Sequence, residues 1–96
     1  MTDIELISQK CDELKALLIA KNRDYGSSFR LSGGLSGAPA ETKLLVRIED
    51  KLARFKKLYE NEDDIETDEP LRDTILDTAG YFILLAILLE ANDGTD

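Results

Sequence analysis

Hydrophobic and polar positions recur with helical spacing over three long stretches of the chain. Apolar residues return every three or four positions, which is the repeat of one face of an α-helix. The spacing predicts helices near residues 3–22, 40–60 and 69–90 and no β-sheet, so the expected fold class is all-α. The apolar stripes of the first two helices contain Ile4, Ile7, Cys11, Leu14 and Leu18, and Leu44, Leu45, Ile48, Leu52, Phe55 and Tyr59.

The third predicted helix is apolar on almost every side. Between Ala79 and Leu89 only Gly80 and Tyr81 interrupt the apolar run. A helix that is hydrophobic all round is normally buried all round, and three helices cannot cover every side of this one. We therefore expect the chain to complete a helical bundle by self-association, as a dimer or tetramer.

Local signals mark the ends of these helices. Thr2 and Glu5 have the spacing of a capping box at the start of the first helix. Gly26 is placed as the residue that ends this helix in a left-handed conformation. Pro70 suits the first turn of the third helix, where its missing N–H costs nothing.

Two stretches separate the helices. Residues 26–40 are rich in glycine, and a loop of this length is usually functional or disordered. Its apolar side chains argue against a plain linker, which leaves a ligand-covering flap or a loop packed on the bundle. Residues 61–68 form an acidic connector, a pattern typical of solvated chain. We interpret residues 1–96 as a single domain.

Composition excludes several functional classes. The 96 residues carry a formal net charge of −8 and no histidine, which argues against nonspecific binding to nucleic acid or anionic membranes. One cysteine, Cys11, excludes an intrachain disulfide and a Cys/His zinc site, and its helical position predicts a buried, inert thiol. We expect no signal peptide and no bilayer-spanning segment, hence a cytoplasmic protein.

Carboxylates on two predicted helices are the first candidate chemistry. Asp73 and Asp77 lie one turn apart on a stripe that continues into apolar residues, and Glu49 lies at the edge of the second helix's stripe. Mg²⁺ or Mn²⁺ binds a few carboxylates and completes its shell with water and substrate phosphates. We therefore predict Glu49, Asp73 and Asp77 as metal ligands and catalytic residues. The alternative is that both aspartates are solvated near a helix N-terminus, where the dipole favours them.

Basic and aromatic residues supply the second candidate chemistry. Arg47, Lys51 and Arg54 form a strip on the second helix, which is either a phosphate-binding surface or a row of side chains reaching into solvent. Asp24 and Tyr25 lie at the end of the first helix, and the chemistry of a helix end explains neither residue type. We interpret both as candidates for ligand binding.

Three blocks of the sequence resemble a known family. Residues 21–26 (KNRDYG), 47–54 (RIEDKLAR) and 73–81 (DTILDTAGY) are similar, in the same order, to the nucleotide-modification-associated domain of many phage proteins. That family is similar to the MazG and dimeric dUTPase type of all-α pyrophosphatases, which are usually oligomeric and use magnesium to release pyrophosphate from nucleotides. The resemblance implies a nucleotide site containing Lys21, Asn22, Asp24, Tyr25, Arg47, Lys51, Arg54 and Tyr81.

The carboxylate pattern departs from the MazG type. That type carries Glu-x-x-Glu on one helix and Glu-x-x-Asp on the next, whereas Val46 stands three residues before Glu49 here. Glu69 and Asp73 are four residues apart rather than three. The incomplete pairs put hydrolysis in question and leave open a site that binds a nucleotide without hydrolysing it.

Three hypotheses follow from the sequence. The first is a magnesium-dependent nucleotide pyrophosphatase in phage nucleotide metabolism. The second is a noncatalytic module that binds and sequesters a nucleotide, including one used as a signal in host defence. The third is an acidic anti-defence inhibitor that binds a host protein through its charge.

Overall fold

The chain folds into three α-helices, in agreement with the predicted fold class. A computed structural model describes residues 1–61 and 68–92. It contains α1 (Asp3–Tyr25), α2 (Ala40–Glu60) and α3 (Asp68–Asn92), with a single 3₁₀ turn at Ser28–Arg30. No strand occurs within these two ranges.

The capping box at the start of α1 is confirmed. The Glu5 amide donates to the Thr2 hydroxyl over 3.1 Å, and the Thr2 amide donates to the Glu5 carboxylate over 3.2 Å. The helix continues to Tyr25, a little beyond the expected end. It stops at Gly26, which has φ 61° and ψ −156°. The φ value is positive as predicted, but the ψ value is extended rather than left-handed helical, and glycine tolerates that combination best.

The core lies between α2 and α3. Ala40, Leu44 and Ile48 of α2 and Leu88 of α3 are buried. Burying this apolar surface is the main term that holds the two helices together. Thr74 is also buried, and its hydroxyl donates over 2.7 Å to the Pro70 carbonyl, so the polar group is satisfied inside its own helix.

The glycine-rich segment is packed at its beginning and open at its tip. Phe29, in the 3₁₀ turn, packs against the core residues Ala40, Leu44 and Leu88. Leu35, at the tip, is fully exposed. Phe29 therefore ties the beginning of the segment to the core, while the tip is open to solvent.

α1 crosses α3 at a glycine. A Cβ placed on Gly80 would lie 2.9 Å from Cδ2 of Leu18 and 3.6 Å from Cδ1 of Leu14, so the absent side chain lets the two helices approach. Beyond this crossing α1 extends away from the body. Ile4 and Ile7 are 79% and 64% exposed.

The prediction that Cys11 is buried is wrong. Its thiol is exposed in the single chain. The apolar stripe on which it lies is real, but α1 contacts α3 only in its second half. Helical periodicity identifies a face without indicating how much of that face a neighbour covers.

The third helix is only partly covered in the single chain, as expected from the sequence, because three helices cannot cover every side of an all-apolar helix. Side chains on one face of α3 remain 40–49% exposed: Ile75, Phe82, Ile83 and Leu89. The chain has an accessible surface of 7388 Å², whereas a compact monomer of this mass has about 5,500 Å². Its radius of gyration is 15.5 Å, against about 12–13 Å for a compact domain of this length. A single copy therefore leaves unusually large surface uncovered.

Within residues 1–61 and 68–92, no helix has both the length and the apolar character needed to cross a lipid bilayer.

Candidate functional site

A cleft of about 360 Å³ lies where the second half of α1, the 3₁₀ turn, α2 and α3 meet. Its walls combine leucines with polar and charged side chains. The apolar part contains Leu17, Leu18, Phe29, Leu76 and Leu84, and the polar part contains Lys21, Asn22, Tyr25, Ser28, Arg47, Asp77 and Tyr81. A cavity of this size is within the range of sites for small molecules and cofactors.

A charged cluster at one wall joins the three helices. The Asp77 carboxylate of α3 accepts from Lys21 Nζ of α1 over 3.0 Å and lies 3.5 Å from Lys51 Nζ of α2. The Asp77 side chain is 23% exposed, so the carboxylate is largely shielded from water. Its charge is matched by two cations, as a largely buried carboxylate requires.

The cleft is electropositive although the chain as a whole is strongly acidic. Lys21 and Arg47 line it, and Lys51 adjoins it through Asp77. Among residues 1–61 and 68–92, Asp77 is the only acidic side chain that lines it. Two cations and one carboxylate give the lining a formal charge of +1, which contrasts with the chain's net charge of −8.

Three aromatic rings border the same cleft. Tyr25 is 73% exposed at the end of α1, while Phe29 and Tyr81 are half-buried. An exposed ring beside half-buried rings and leucines offers surfaces on which a planar group can stack. Asn22 and Ser28 add groups that can donate or accept hydrogen bonds.

The structure gathers most of the predicted binding residues into this cleft. Of the residues proposed from sequence, those that line it are Lys21, Asn22, Tyr25, Arg47, Asp77 and Tyr81. Lys51 contacts Asp77 beside it. The remaining predicted residues, Asp24, Glu49, Arg54 and Asp73, are exposed and do not line it.

The predicted metal ligands are not gathered. Among the described residues, no set of three or more acidic or cysteine side chains lies close enough to hold a metal ion. Asp77 makes its contacts with Lys21 and Lys51 instead, while Glu49 and Asp73 lie on exposed parts of their helices. The sequence pattern indicates which helices carry the carboxylates. It does not indicate that two lysines pair with Asp77, the carboxylate that is partly buried.

Sequence reasoning missed several cleft residues. Phe29 and Ser28 come from the 3₁₀ turn, and Leu17 and Gly80 come from the helix crossing. The apolar character of Phe29 inside a glycine-rich stretch was the available signal. In the sequence Gly80 only interrupts an apolar run, whereas in the structure it lines the cleft and lets α1 approach α3.

The arrangement can hold an anionic group and a planar group at the same time. The cations lie on α1 and α2, and the rings lie on α1, the 3₁₀ turn and α3, so one ligand would contact every element of the fold. Comparison of the chain with protein-family models, with curated proteins and with solved structures found no match.

Proposed function

We propose that the chain is a noncatalytic nucleotide-binding module. The observation that carries this proposal is the meeting of Lys21 and Arg47, from two helices, at a cleft bordered by Tyr25, Phe29 and Tyr81. A nucleotide combines a phosphate anion with a planar base, and this cleft offers complementary groups for both.

The two cations are suited to the phosphate. Arginine presents a planar fork of donors that matches phosphate oxygens, and lysine contributes a compact charge. Lys21 already shares its ammonium group with Asp77. Arg47 is therefore the side chain that we expect to form the main phosphate contact.

The aromatic side chains are suited to the base. Base–aromatic stacking contributes about 1–3 kcal/mol per base in single-stranded nucleic-acid sites, and the same physics applies to a free nucleotide. Tyr25 is exposed enough to move over a bound ring. Leu17 and Leu18 line the cleft with apolar surface, against which the faces of a base can pack at a small desolvation cost.

The state of Asp77 supports binding over hydrolysis. Magnesium-dependent phosphate chemistry uses carboxylates to hold the ion against the substrate. The carboxylate that lines this cleft is already compensated by two lysines. A ligand phosphate would extend that cationic cluster without a bridging ion.

The resemblance to the phage nucleotide-modification-associated domain supports the same ligand class. In that context the protein would act in the cytoplasm of a host cell and, as a self-associated module, would sequester a nucleotide. Magnesium-dependent release of pyrophosphate is the alternative activity that the same resemblance offers.

Calorimetric titration with a matched pair of variants tests this proposal. Ribo- and deoxyribonucleoside mono-, di- and triphosphates are titrated into the chain in the presence of EDTA. We expect at least one of them to bind, and Arg47→Ala to weaken binding about tenfold or more, since a hydrogen bond to a charged group contributes about 1.5–3 kcal/mol.

Arg54→Ala is the control, because Arg54 lies on the same helix, is exposed and does not line the cleft. Both variants remove one positive charge, so a general electrostatic effect would appear in both. Absence of nucleotide binding, or equal losses in the two variants, would contradict the proposed site. Pyrophosphate release on adding Mg²⁺ would establish an enzyme in place of a binding module.

A further inference from the structure

The uncovered face of α3 has the spacing of a helix–helix interface. Its residues follow one another at intervals of four, three, four and three positions, which averages to the repeat of a coiled-coil seam. We call this set the α3 stripe: Ile75, Ala79, Phe82, Ala86 and Leu89. The three large members are 47%, 48% and 49% exposed in the single chain.

Large and small residues alternate along the α3 stripe. Ile75, Phe82 and Leu89 occupy one seam position, and Ala79 and Ala86 occupy the other. When two such stripes run antiparallel about a point between positions 80 and 81, Ile75 and Phe82 each face an alanine of the other copy, an arrangement that fills an interface without voids. Phe82 of one copy then packs against Ala79 of the partner subunit.

Charge selects the antiparallel direction. Arg72 and Glu90 lie on the same flank of the stripe, about five turns apart, and both are exposed. A two-fold axis near Gly80 and Tyr81 places Arg72 beside the partner's Glu90, and symmetry repeats the contact at the other end. A parallel pair would lack this contact, because its two-fold axis runs along the helices and places the two copies of each flank residue on opposite sides of the seam.

The size of the uncovered surface fits a second copy. The accessible surface of 7388 Å² exceeds the roughly 5,500 Å² of a compact monomer, and both the exposed first half of α1 and the α3 stripe contribute to the excess. A standard interface buries roughly 800 Å² on each partner. The α3 stripe extends over roughly 21 Å of helix, long enough to contribute a large part of that area.

We propose that two copies of this chain associate through antiparallel packing of their α3 stripes. The cleft residues Asp77 and Tyr81 lie on another face of α3, which packs toward Lys51 and the core. Both clefts therefore remain open in the dimer. The proposal does not depend on a nucleotide, so its failure and the failure of the proposed function are separate results.

Sedimentation equilibrium of the whole chain tests the interface. We expect a dimer at micromolar concentration, and a monomer for Phe82→Asp with its helical circular dichroism retained. Ile7→Asp is the control, because Ile7 is also apolar and is 64% exposed, but lies on α1. A monomeric parent chain, or dissociation by Ile7→Asp while Phe82→Asp stays dimeric, would overturn the proposal.

Crosslinking tests the direction and does not require a disruptive variant. In a Cys11→Ser background, a short bismaleimide should link the chains of Ala79→Cys, because position 79 is close to the two-fold axis. It should not link those of Leu89→Cys, whose two copies would be roughly 24 Å apart along an antiparallel pair. Linkage of both variants would indicate a parallel pair, and linkage of neither would exclude the α3 stripe; either result overturns the proposal.

Discussion

Neutralising Asp77 separates the two interpretations of the cleft more sharply than any other single change. Asp77→Asn keeps the shape of the side chain and removes the charge that Lys21 and Lys51 share. The Lys21 side chain is 46% exposed and the Lys51 side chain 30% exposed, so water and salt screen both contacts. Exposed ion pairs contribute about 0.2–1 kcal/mol each.

We therefore expect Asp77→Asn to reduce the free energy of unfolding by about 1–2 kcal/mol, including repulsion between the two lysines left behind. For a domain of this length that loss lowers the melting temperature by about 4–8 °C per kcal/mol. The difference should shrink in high salt, because screening weakens the same contacts. Asp73→Asn, one turn earlier and exposed, should leave the melting temperature nearly unchanged.

The effect on ligand binding has the opposite sign. Asp77→Asn removes the anion from the cleft and releases two ammonium groups, so nucleotide affinity in EDTA should rise or stay constant. A metal site that used Asp77 would instead lose magnesium-dependent binding. The assays are thermal melts with and without Mg²⁺ and calorimetric titration of both variants. An Asp77→Asn protein as stable as Asp73→Asn, or one that loses metal-free nucleotide binding, would refute the reasoning.

Two further predictions concern the walls of the cleft. Gly80→Val should lower the free energy of unfolding, measured by chemical denaturation, by about 1–3 kcal/mol, because a Cβ at Gly80 already falls 2.9 Å from the Leu18 methyl. Leu18→Ala, made in the same chain, should reduce that loss. A Gly80→Val protein that keeps its stability with Leu18 intact would contradict the close crossing. Tyr25→Ala should weaken nucleotide binding by about 1–3 kcal/mol and leave the melting temperature nearly unchanged, since the ring is 73% exposed. Asp24→Ala is its control and should alter neither quantity.

Much of the fold could be predicted from the sequence because its signals are local. The capping box of Thr2, the positive φ at Gly26 and the three helical stripes depend on residues within a few positions of one another. Coverage of those stripes depends on residues distant in sequence. That is why the sequence suggested a buried Cys11, whereas the structure leaves its thiol exposed beyond the reach of α3.

Part of the candidate site could likewise be predicted from the sequence, and part of it could not. The resemblance to the phage domain implied Lys21 and Tyr81 as site residues, and both line the cleft. The pairing of Asp77 with two lysines could not be predicted, because a helical wheel gives the direction of a side chain but not the identity of its partner on another helix. Phe29 was missed because the 3₁₀ turn that carries it follows from packing on the core.

An NMR titration of the ¹⁵N-labelled chain, with the nucleotide that binds best in calorimetry, locates the ligand most directly. We expect the largest amide shifts on residues that line the cleft, among them Asn22, Ser28 and Gly80. Amides in the first half of α1, near Ile4 and Ile7, should not move. Large shifts confined to the first half of α1, or no shifts in the cleft at saturating nucleotide, would contradict a nucleotide site in the cleft.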